Sequence, residues 1–153
     1  MAWRILGSAR QISRADDDLA AILYTSGSTG KPKGTQIVHR GVIRLVKDTN
    51  YVRLNEGSRL IQIASVSFDA ATFEIWGSLL NGGQLVVMKG WSGQLEWLGD
   101  VLVRHRVNVA LLITSPFNMM MEEYHKSLLG IEQLLIGGEA LSVPHINKAL
   151  KLL

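Results

Sequence analysis

The stretch YTSGSTGKPKG, residues 24–34, gathers hydroxyl groups, glycines and positive charge in one short segment. Its glycines allow backbone N–H groups to approach a ligand without hindrance from Cβ atoms. Ser26, Ser28 and Thr29 add hydroxyl donors, and Lys31 adds a cation. Many donors beside a positive charge suit a polyphosphate. The alternative is an ordinary surface turn rich in glycine and serine.

The spacing in this stretch excludes three common phosphate or nucleophile motifs. A Walker loop needs Gly at position 25 and Ser or Thr at position 32, where this chain has Thr25 and Pro32. A dinucleotide GxGxxG does not fit, because Gly27 and Gly30 enclose Ser28 and Thr29 but position 25, where the first glycine belongs, is Thr. A GxSxG nucleophile elbow fits neither Ser26 nor Ser28.

The composition is that of a globular domain, with 47% hydrophobic and 19% charged residues among 153. The chain has no cysteine, which excludes a disulfide scaffold and fits a reducing, cytoplasmic location. Its four histidines are far apart in sequence, so a metal cage is not expected. The net charge of +3 is spread along the chain, and no apolar run reaches membrane-spanning length. We therefore expect neither a nucleic-acid nor a membrane partner.

Short apolar strands alternate with amphipathic helices along the chain. The first strand, Leu19–Thr25, is expected to be buried. The pattern predicts further strands at 35–38, 59–64, 84–88, 107–113 and 132–136, and helices at 39–52, 69–80, 94–104, 116–129 and from 142. On helix 69–80 it places Phe73, Trp76, Leu79 and Leu80 on the inner face. This alternation is typical of an α/β fold with a mostly parallel sheet and helices on both faces.

In such folds ligands bind beyond the carboxyl ends of the strands. Segments 26–34, 65–69 and 137–139 each follow a predicted strand directly. They are therefore the expected binding segments.

The segment LAAILYTSGSTGKPKG (19–34) resembles the nucleotide-binding signature of the adenylate-forming (AMP-binding) superfamily. The resemblance continues in VHRGVIRLV (38–46), FDAATFEIWGSLLNGG (68–83) and LLIGGEALS (134–142). It covers about residues 16–150 and is strongest to the adenylation domains of nonribosomal peptide synthetases. It implies a partial copy of the large N-terminal domain of these enzymes, and activation of a carboxylate by ATP with release of pyrophosphate.

The resemblance assigns the ATP phosphates to the loop around residues 25–34. The implied contacts are Thr25, Ser26, Gly27, Ser28, Thr29, Gly30, Lys31, Lys33 and Gly34. Donors and a cation held around the departing pyrophosphate would stabilise the charge that develops on it. Gly137, Gly138 and Glu139 are implied on the adenine side, the alternative being a tight strand-to-helix turn.

The resemblance also implies an amino-acid substrate, because Asp69 matches the Asp that pairs with the substrate's α-ammonium group. The alternative for Asp69 is a helix cap, and both roles are compatible. The implied side-chain pocket consists of Ala70, Phe73, Leu111, Leu135 and Gly137. Because these residues are apolar or small, we expect an aliphatic substrate such as Leu, Ile or Val. Plain core packing is the alternative for Phe73, Leu111 and Leu135.

Several parts of the family pattern do not occur in this chain. The expected Tyr-Gly-Pro-Thr-Glu motif, the ribose-binding Asp and the C-terminal domain with its catalytic Lys are missing. No catalytic residue and no Mg²⁺ ligand is therefore assigned here. We expect residues 1–15 to form a disordered leader and residues 16–153 a partial adenylation domain, truncated at its C-terminus. The expected partners are the remaining part of that domain and a carrier-protein domain of a larger synthetase.

Three functions remain open at this point. The first is an amino-acid-activating fragment that is inactive alone. The second is carboxylate activation of the acyl-CoA synthetase type. The third is a degenerate, non-catalytic interaction fragment.

Overall fold

The protein, seen in a computed structural model, is described over residues 15–25 and 31–153. Within these ranges the strands are β1 (Leu19–Thr25), β2 (Lys33–Val38), β3 (Arg59–Gln62), β4 (Gln84–Val87), β5 (Val109–Ile113) and β6 (Gln133–Gly137). The α-helices are α1 (His39–Val46), α2 (Ala70–Leu79), α3 (Leu95–Arg104), α4 (Thr114–Glu123) and α5 (Val143–Leu152). A 3₁₀ helix spans His125–Leu128. In this part of the chain no helix has the length and apolar character needed to cross a bilayer.

The expected parallel sheet is present, with strand order β4-β3-β5-β6. Each pair in it is parallel, and Val109–Ile113 pairs in register with Gln133–Gly137. The carboxyl ends of β3, β5 and β6 therefore point to the same edge.

Helices cover both faces of this sheet. Successive strand residues point to opposite faces, and on β3 and β5 neighbouring apolar residues pack into two different core clusters. Leu60 and Val109 pack in one core cluster with Phe73 of α2 and Val46 of α1. Their neighbours Ile61 and Ala110 pack in a second cluster with residues of α3, α4 and α5. The predicted α/β class with helices on both faces is confirmed.

The expectation of a buried first strand is wrong. β1 pairs antiparallel with β2 in a separate two-stranded sheet. Ile22 is 46% and Tyr24 65% exposed. Within the described residues these two strands pair only with each other, and the contacts of β1 with α1 leave Ile22 and Tyr24 exposed.

The expected leader lies outside the described residues except for Ala15. The first predicted helix is shorter than expected. It ends at Val46, and Asp48 then takes the left-handed conformation, with φ of 50°.

The inner face of α2 also differs from the prediction. Phe73 is buried, but Trp76, Leu79 and Leu80 are exposed. The buried face consists of Ala71, Phe73, Glu74, Gly77 and Ser78. Small residues let this helix lie close to the sheet, since a Cβ on Gly77 would lie 3.2 Å from Leu60.

The turn before β4 allows only glycine at position 83. A Cβ there would lie 2.5 Å from the carbonyl oxygen of Ser58, which accepts the N–H of Gln84. We predict that Gly83→Ala lowers the free energy of unfolding by about 2 kcal/mol, as expected when backbone must shift. Gly130→Ala is the matched control, because a Cβ there meets nothing within 4 Å. Urea unfolding measures the free energy of unfolding of both variants. Equal losses in the two would contradict the conclusion that position 83 requires glycine.

Candidate functional site

A cleft of about 800 Å³ opens at the edge where β3, β5 and β6 end. Its walls come from the segment after β3, the inner face of α2, the last residues of β5 and the turn after β6. Two of the three segments that the sequence indicated, 65–69 and 137–139, therefore meet at one cleft. This position is the usual ligand site of a parallel α/β sheet.

The cleft is mostly apolar, and its charged lining residues are all acidic. They are Asp69, Glu74 and Glu139. Within the described part of the chain no Lys, Arg or His lines the cleft. Unless these carboxyl groups are protonated, the field inside it favours a cation.

Asp69 lies at the N-terminus of α2 and is exposed. Its backbone is already helical, with φ of −62° and ψ of −31°, and its side chain makes no capping hydrogen bond. The helix start is satisfied instead by backbone carbonyls, with Thr72 N–H donating to Asp69 O at 2.9 Å. The capping alternative is therefore not what the geometry shows. Among the described residues the Asp69 carboxylate has no hydrogen-bond or ion-pair partner.

The other predicted substrate and adenine-side residues line the same cleft as Asp69. They are Ala70, Phe73, Leu111, Leu135, Gly137, Gly138 and Glu139. Phe73 is fully in the core, and its ring lies 6.4 Å from that of Tyr51. Leu111 and Leu135 sit side by side on β5 and β6 and are half-buried. Their proximity fits the predicted pocket, and their role in binding stays a prediction.

Glu74 is a charged residue that sequence reasoning missed. It is only 2% exposed, in the middle of α2. Its carboxylate accepts the N–H of Ile63 at 3.2 Å, and the N–H of Ala64 at 3.1 Å to Oε2 and 3.3 Å to Oε1. Burial raises the pKa of Glu74 to about 7, and the two backbone N–H groups oppose the rise.

The turn after β6 is held by Thr114, which sequence reasoning also missed. Its buried hydroxyl lies 3.2 Å from the carbonyl oxygens of both Gly137 and Glu139. Gly138 between them has φ of +91°, a conformation that glycine adopts without strain. The predicted adenine-side segment is thus fastened to the start of α4.

The predicted phosphate loop lies mainly outside the described residues, which exclude Ser26, Gly27, Ser28, Thr29 and Gly30. On either side of the gap, Thr25 ends β1 and pairs with Lys33 of β2. Lys31 is exposed. A Cβ on Gly34 would lie 2.9 Å from Ile22, so the hairpin itself requires a small residue there.

The sequence carried a signal for Glu74 but not for Thr114. Glu74 lies three and four residues before Gly77 and Ser78, so it shares a helical face with small residues that pack closely. Thr114 follows a strand as many surface threonines do. Nothing in its spacing indicates the carbonyl groups of residues 137 and 139.

The model of the family described as "AMP-binding enzyme" matches residues 6–153. The chain therefore belongs to the AMP-binding enzyme family, which confirms the resemblance to adenylate-forming enzymes. Tyrocidine synthase 3 of Brevibacillus parabrevis is 46% identical over 86% of this chain, which covers 2% of that protein. Bacitracin synthase 1 of Bacillus licheniformis is 39% identical over 94% of this chain and 3% of the relative. The chain thus spans a few hundredths of the length of these synthases.

Solved structures agree in fold. PA1221, an NRPS protein containing adenylation and PCP domains, superposes with a TM-score of 0.86 at 36% identity, over 94% of this chain and 29% of that one. The NpsA N-terminal subdomain of Klebsiella oxytoca, in complex with 3-hydroxybenzoyl-AMSN, gives a TM-score of 0.87 at 30% identity, over 95% and 37% of the two chains. The expected likeness to part of an N-terminal adenylation subdomain is confirmed.

The raised pKa of Glu74 makes stability depend on pH. Between about 4.5 and about 7 the folded state keeps a proton that the unfolded state has released. We predict that the free energy of unfolding falls as pH rises through this window, by about 3 kcal/mol from this group. In Glu74→Gln, the free energy of unfolding should lack this fall of about 3 kcal/mol, because the amide does not titrate. Urea unfolding from pH 4.5 to 8 measures it, and parallel curves for the two proteins would contradict the prediction.

Proposed function

We propose that this chain is part of an adenylation domain that activates an apolar aliphatic amino acid as its aminoacyl-adenylate for nonribosomal peptide synthesis. The observation that carries the proposal is the Asp69 carboxylate, which has no partner among the described residues and lies beside an apolar cleft. Membership of the AMP-binding family supplies the reaction class.

The cleft fits the amine of such a substrate. A carboxylate next to low-dielectric walls attracts an ammonium group more strongly than it would in water. No cation lines the described cleft and competes for it. Asp69 would therefore bind the α-ammonium group and set the direction in which the side chain enters.

An aliphatic side chain fits the inner part of the cleft. Phe73, Leu111 and Leu135 offer no hydrogen-bonding side chain there. A polar substrate side chain would lose its hydration without compensation, which costs about 1–3 kcal/mol for each unpaired group. Leu, Ile or Val would meet no such penalty.

The substrate that reacts with the amino acid is ATP, with Mg²⁺ as its expected companion. The carboxylate oxygen would attack the α-phosphorus while the bond to the β-phosphate breaks and pyrophosphate leaves. Residues 25–34 would surround the leaving phosphates with hydroxyl groups and Lys31, and Gly137–Glu139 would face the adenine. The described residues contain no group of three or more His, Asp or Glu suited to a metal ion. We therefore assign no Mg²⁺ ligand among the described residues.

The proposed partners are the remaining part of the adenylation domain and a carrier-protein domain, by analogy with PA1221, which contains adenylation and PCP domains. On this proposal the chain alone does not catalyse the reaction, and no nucleic-acid or membrane partner is proposed. The proposed cytoplasmic location rests on the lack of cysteine in the sequence.

Carboxylate activation of the acyl-CoA synthetase type remains a second interpretation of the same cleft. It would leave Asp69 without a ligand.

A non-catalytic interaction fragment is the other candidate, because large apolar side chains are exposed. Val66 is 69% and Leu150 80% exposed. A monodisperse monomer in light scattering would count against this candidate.

Asp69→Ala tests the amine-binding proposal in the chain joined to the C-terminal remainder of an adenylation domain from a related synthase. Pyrophosphate exchange with L-leucine should fall roughly 100-fold, because the ammonium group loses its partner. Exchange with 4-methylpentanoate, which lacks only the amine, should hardly change. Equal losses with both substrates would show that Asp69 is structural.

Triple replacement of Ser26, Ser28 and Lys31 by alanine tests the phosphate loop in the same completed enzyme. ATP affinity should fall roughly 100-fold, since three donors and a charge are removed. Lys126→Ala on the 3₁₀ helix His125–Leu128, which does not line the cleft, is the charge-matched control. Unchanged ATP affinity in the triple variant would remove the basis of the ATP assignment.

A further inference from the structure

The connection between β3 and α2 is fastened by side chains rather than by the sheet. β3 ends at Gln62, and among the described residues the N–H groups of Ile63 and Ala64 have no strand partner. The buried Glu74 carboxylate accepts both, at 3.2 Å and 3.1 Å to the same oxygen, Oε2. The side-chain amide of Gln62 donates to the carbonyl oxygen of Ala64. Both backbone polar groups of Ala64 are therefore held by side chains.

The hydrogen bonds of Glu74 close a loop on its own helix. The chain runs from Ala64 through the predicted amine-binding residue Asp69 and returns to Glu74, ten residues later. Inside the loop, Phe68 N–H donates to Ser65 O at 2.9 Å. Asp69 itself makes no capping bond that would hold its side chain. The first turn of α2 holds the Asp69 backbone from one side, with Thr72 N–H bonded to Asp69 O, and the loop closed by Glu74 holds the segment that leads into it.

We propose that Glu74 is a positioning residue, which holds Asp69 at the cleft by fastening residues 63 and 64 to α2. This inference rests on the proposed amine-binding role of Asp69. It assigns Glu74 no contact with the substrate. Loss of Glu74 should weaken recognition of the amine and leave recognition of the carbon skeleton nearly intact.

The geometry indicates which replacements keep the loop closed. A single oxygen, Oε2, accepts both N–H groups, so the amide oxygen of Glu74→Gln can take over this role. Glu74→Met fills a similar volume without any acceptor. Glu74→Asp keeps the carboxylate but is one methylene shorter, so it cannot reach both groups. Ser78→Ala is the matched control, because the buried Ser78 hydroxyl donates to the backbone carbonyls of Glu74 and Ile75 on the same helix and makes no hydrogen bond to residues 63 or 64.

The experiment uses the full 153-residue chain and NMR. Amide hydrogen exchange at Ile63 and Ala64 reports whether the loop is closed. Titrations with L-leucine and 4-methylpentanoate give two dissociation constants. The constant for 4-methylpentanoate divided by the constant for L-leucine reports recognition of the amine, and it exceeds one when the amine is recognised. A general loss of packing would weaken both ligands together and leave the ratio unchanged.

In Glu74→Met and Glu74→Asp we expect exchange at Ile63 and Ala64 to quicken about tenfold. We expect the ratio of the two dissociation constants to fall towards one, as in Asp69→Ala. Glu74→Gln and Ser78→Ala should keep the ratio of the unsubstituted chain. If Glu74→Met does not fold, Glu74→Asp gives the same comparison with the carboxylate retained.

Two results would overturn this inference, and they are distinct from failure of the proposed function. One is that the ratio of dissociation constants stays unchanged in Glu74→Met and Glu74→Asp, although it falls to one in Asp69→Ala. The other is unchanged exchange at Ile63 and Ala64 in both Glu74 variants. If the unsubstituted chain does not distinguish the two ligands, the amine-binding role of Asp69 fails instead, and the positioning role fails with it.

Discussion

The parallel pairing of β3, β5 and β6 is the constraint on which the site depends. Because the three strands run in the same direction and lie side by side, the segments that follow them open at one edge. That edge joins residues far apart in sequence, such as Asp69 and Gly137, in one cleft. Helices on both faces bury the sheet, so the strand ends are the part of it that a ligand can reach.

Polar groups divide the proposed site into two regions of opposite charge. The cleft contains acidic residues and apolar walls, whereas the segment around residues 25–34 carries Lys31 and Lys33. An amino acid presents an ammonium group and a triphosphate presents negative charge, so the two substrates would sort into different regions by charge alone. Glu74 also lines the cleft, but it is buried and its carboxylate accepts backbone N–H groups. It stabilises the backbone that joins β3 to α2.

The sequence predicted the fold class well, but it predicted less well which strands and helix faces are buried. Alternating short strands and helices were sufficient for the parallel sheet, because this pattern has few alternative architectures. The burial of β1 was predicted wrongly, since an apolar run does not reveal whether other elements cover it. On α2, the large apolar residues suggested the wrong inner face. The face that packs on the sheet contains Ala71, Gly77 and Ser78, whose small side chains let the helix approach the sheet closely. Motifs identified the cleft residues. The spacing of Glu74 from Gly77 and Ser78 indicated only its helical face, and no local pattern indicated the backbone groups that Glu74 and Thr114 bind.

Contacts between a bound aminoacyl-adenylate analogue and the chain test the central claim most directly. Nuclear Overhauser effects from leucyl-sulfamoyl adenosine bound to this chain would locate both ends of the ligand. We expect contacts from the leucine methyl groups to Phe73 and Leu111, and from the adenine protons to residues 137–139. Contacts confined to other surfaces, such as α4 and α5, would contradict the proposed site.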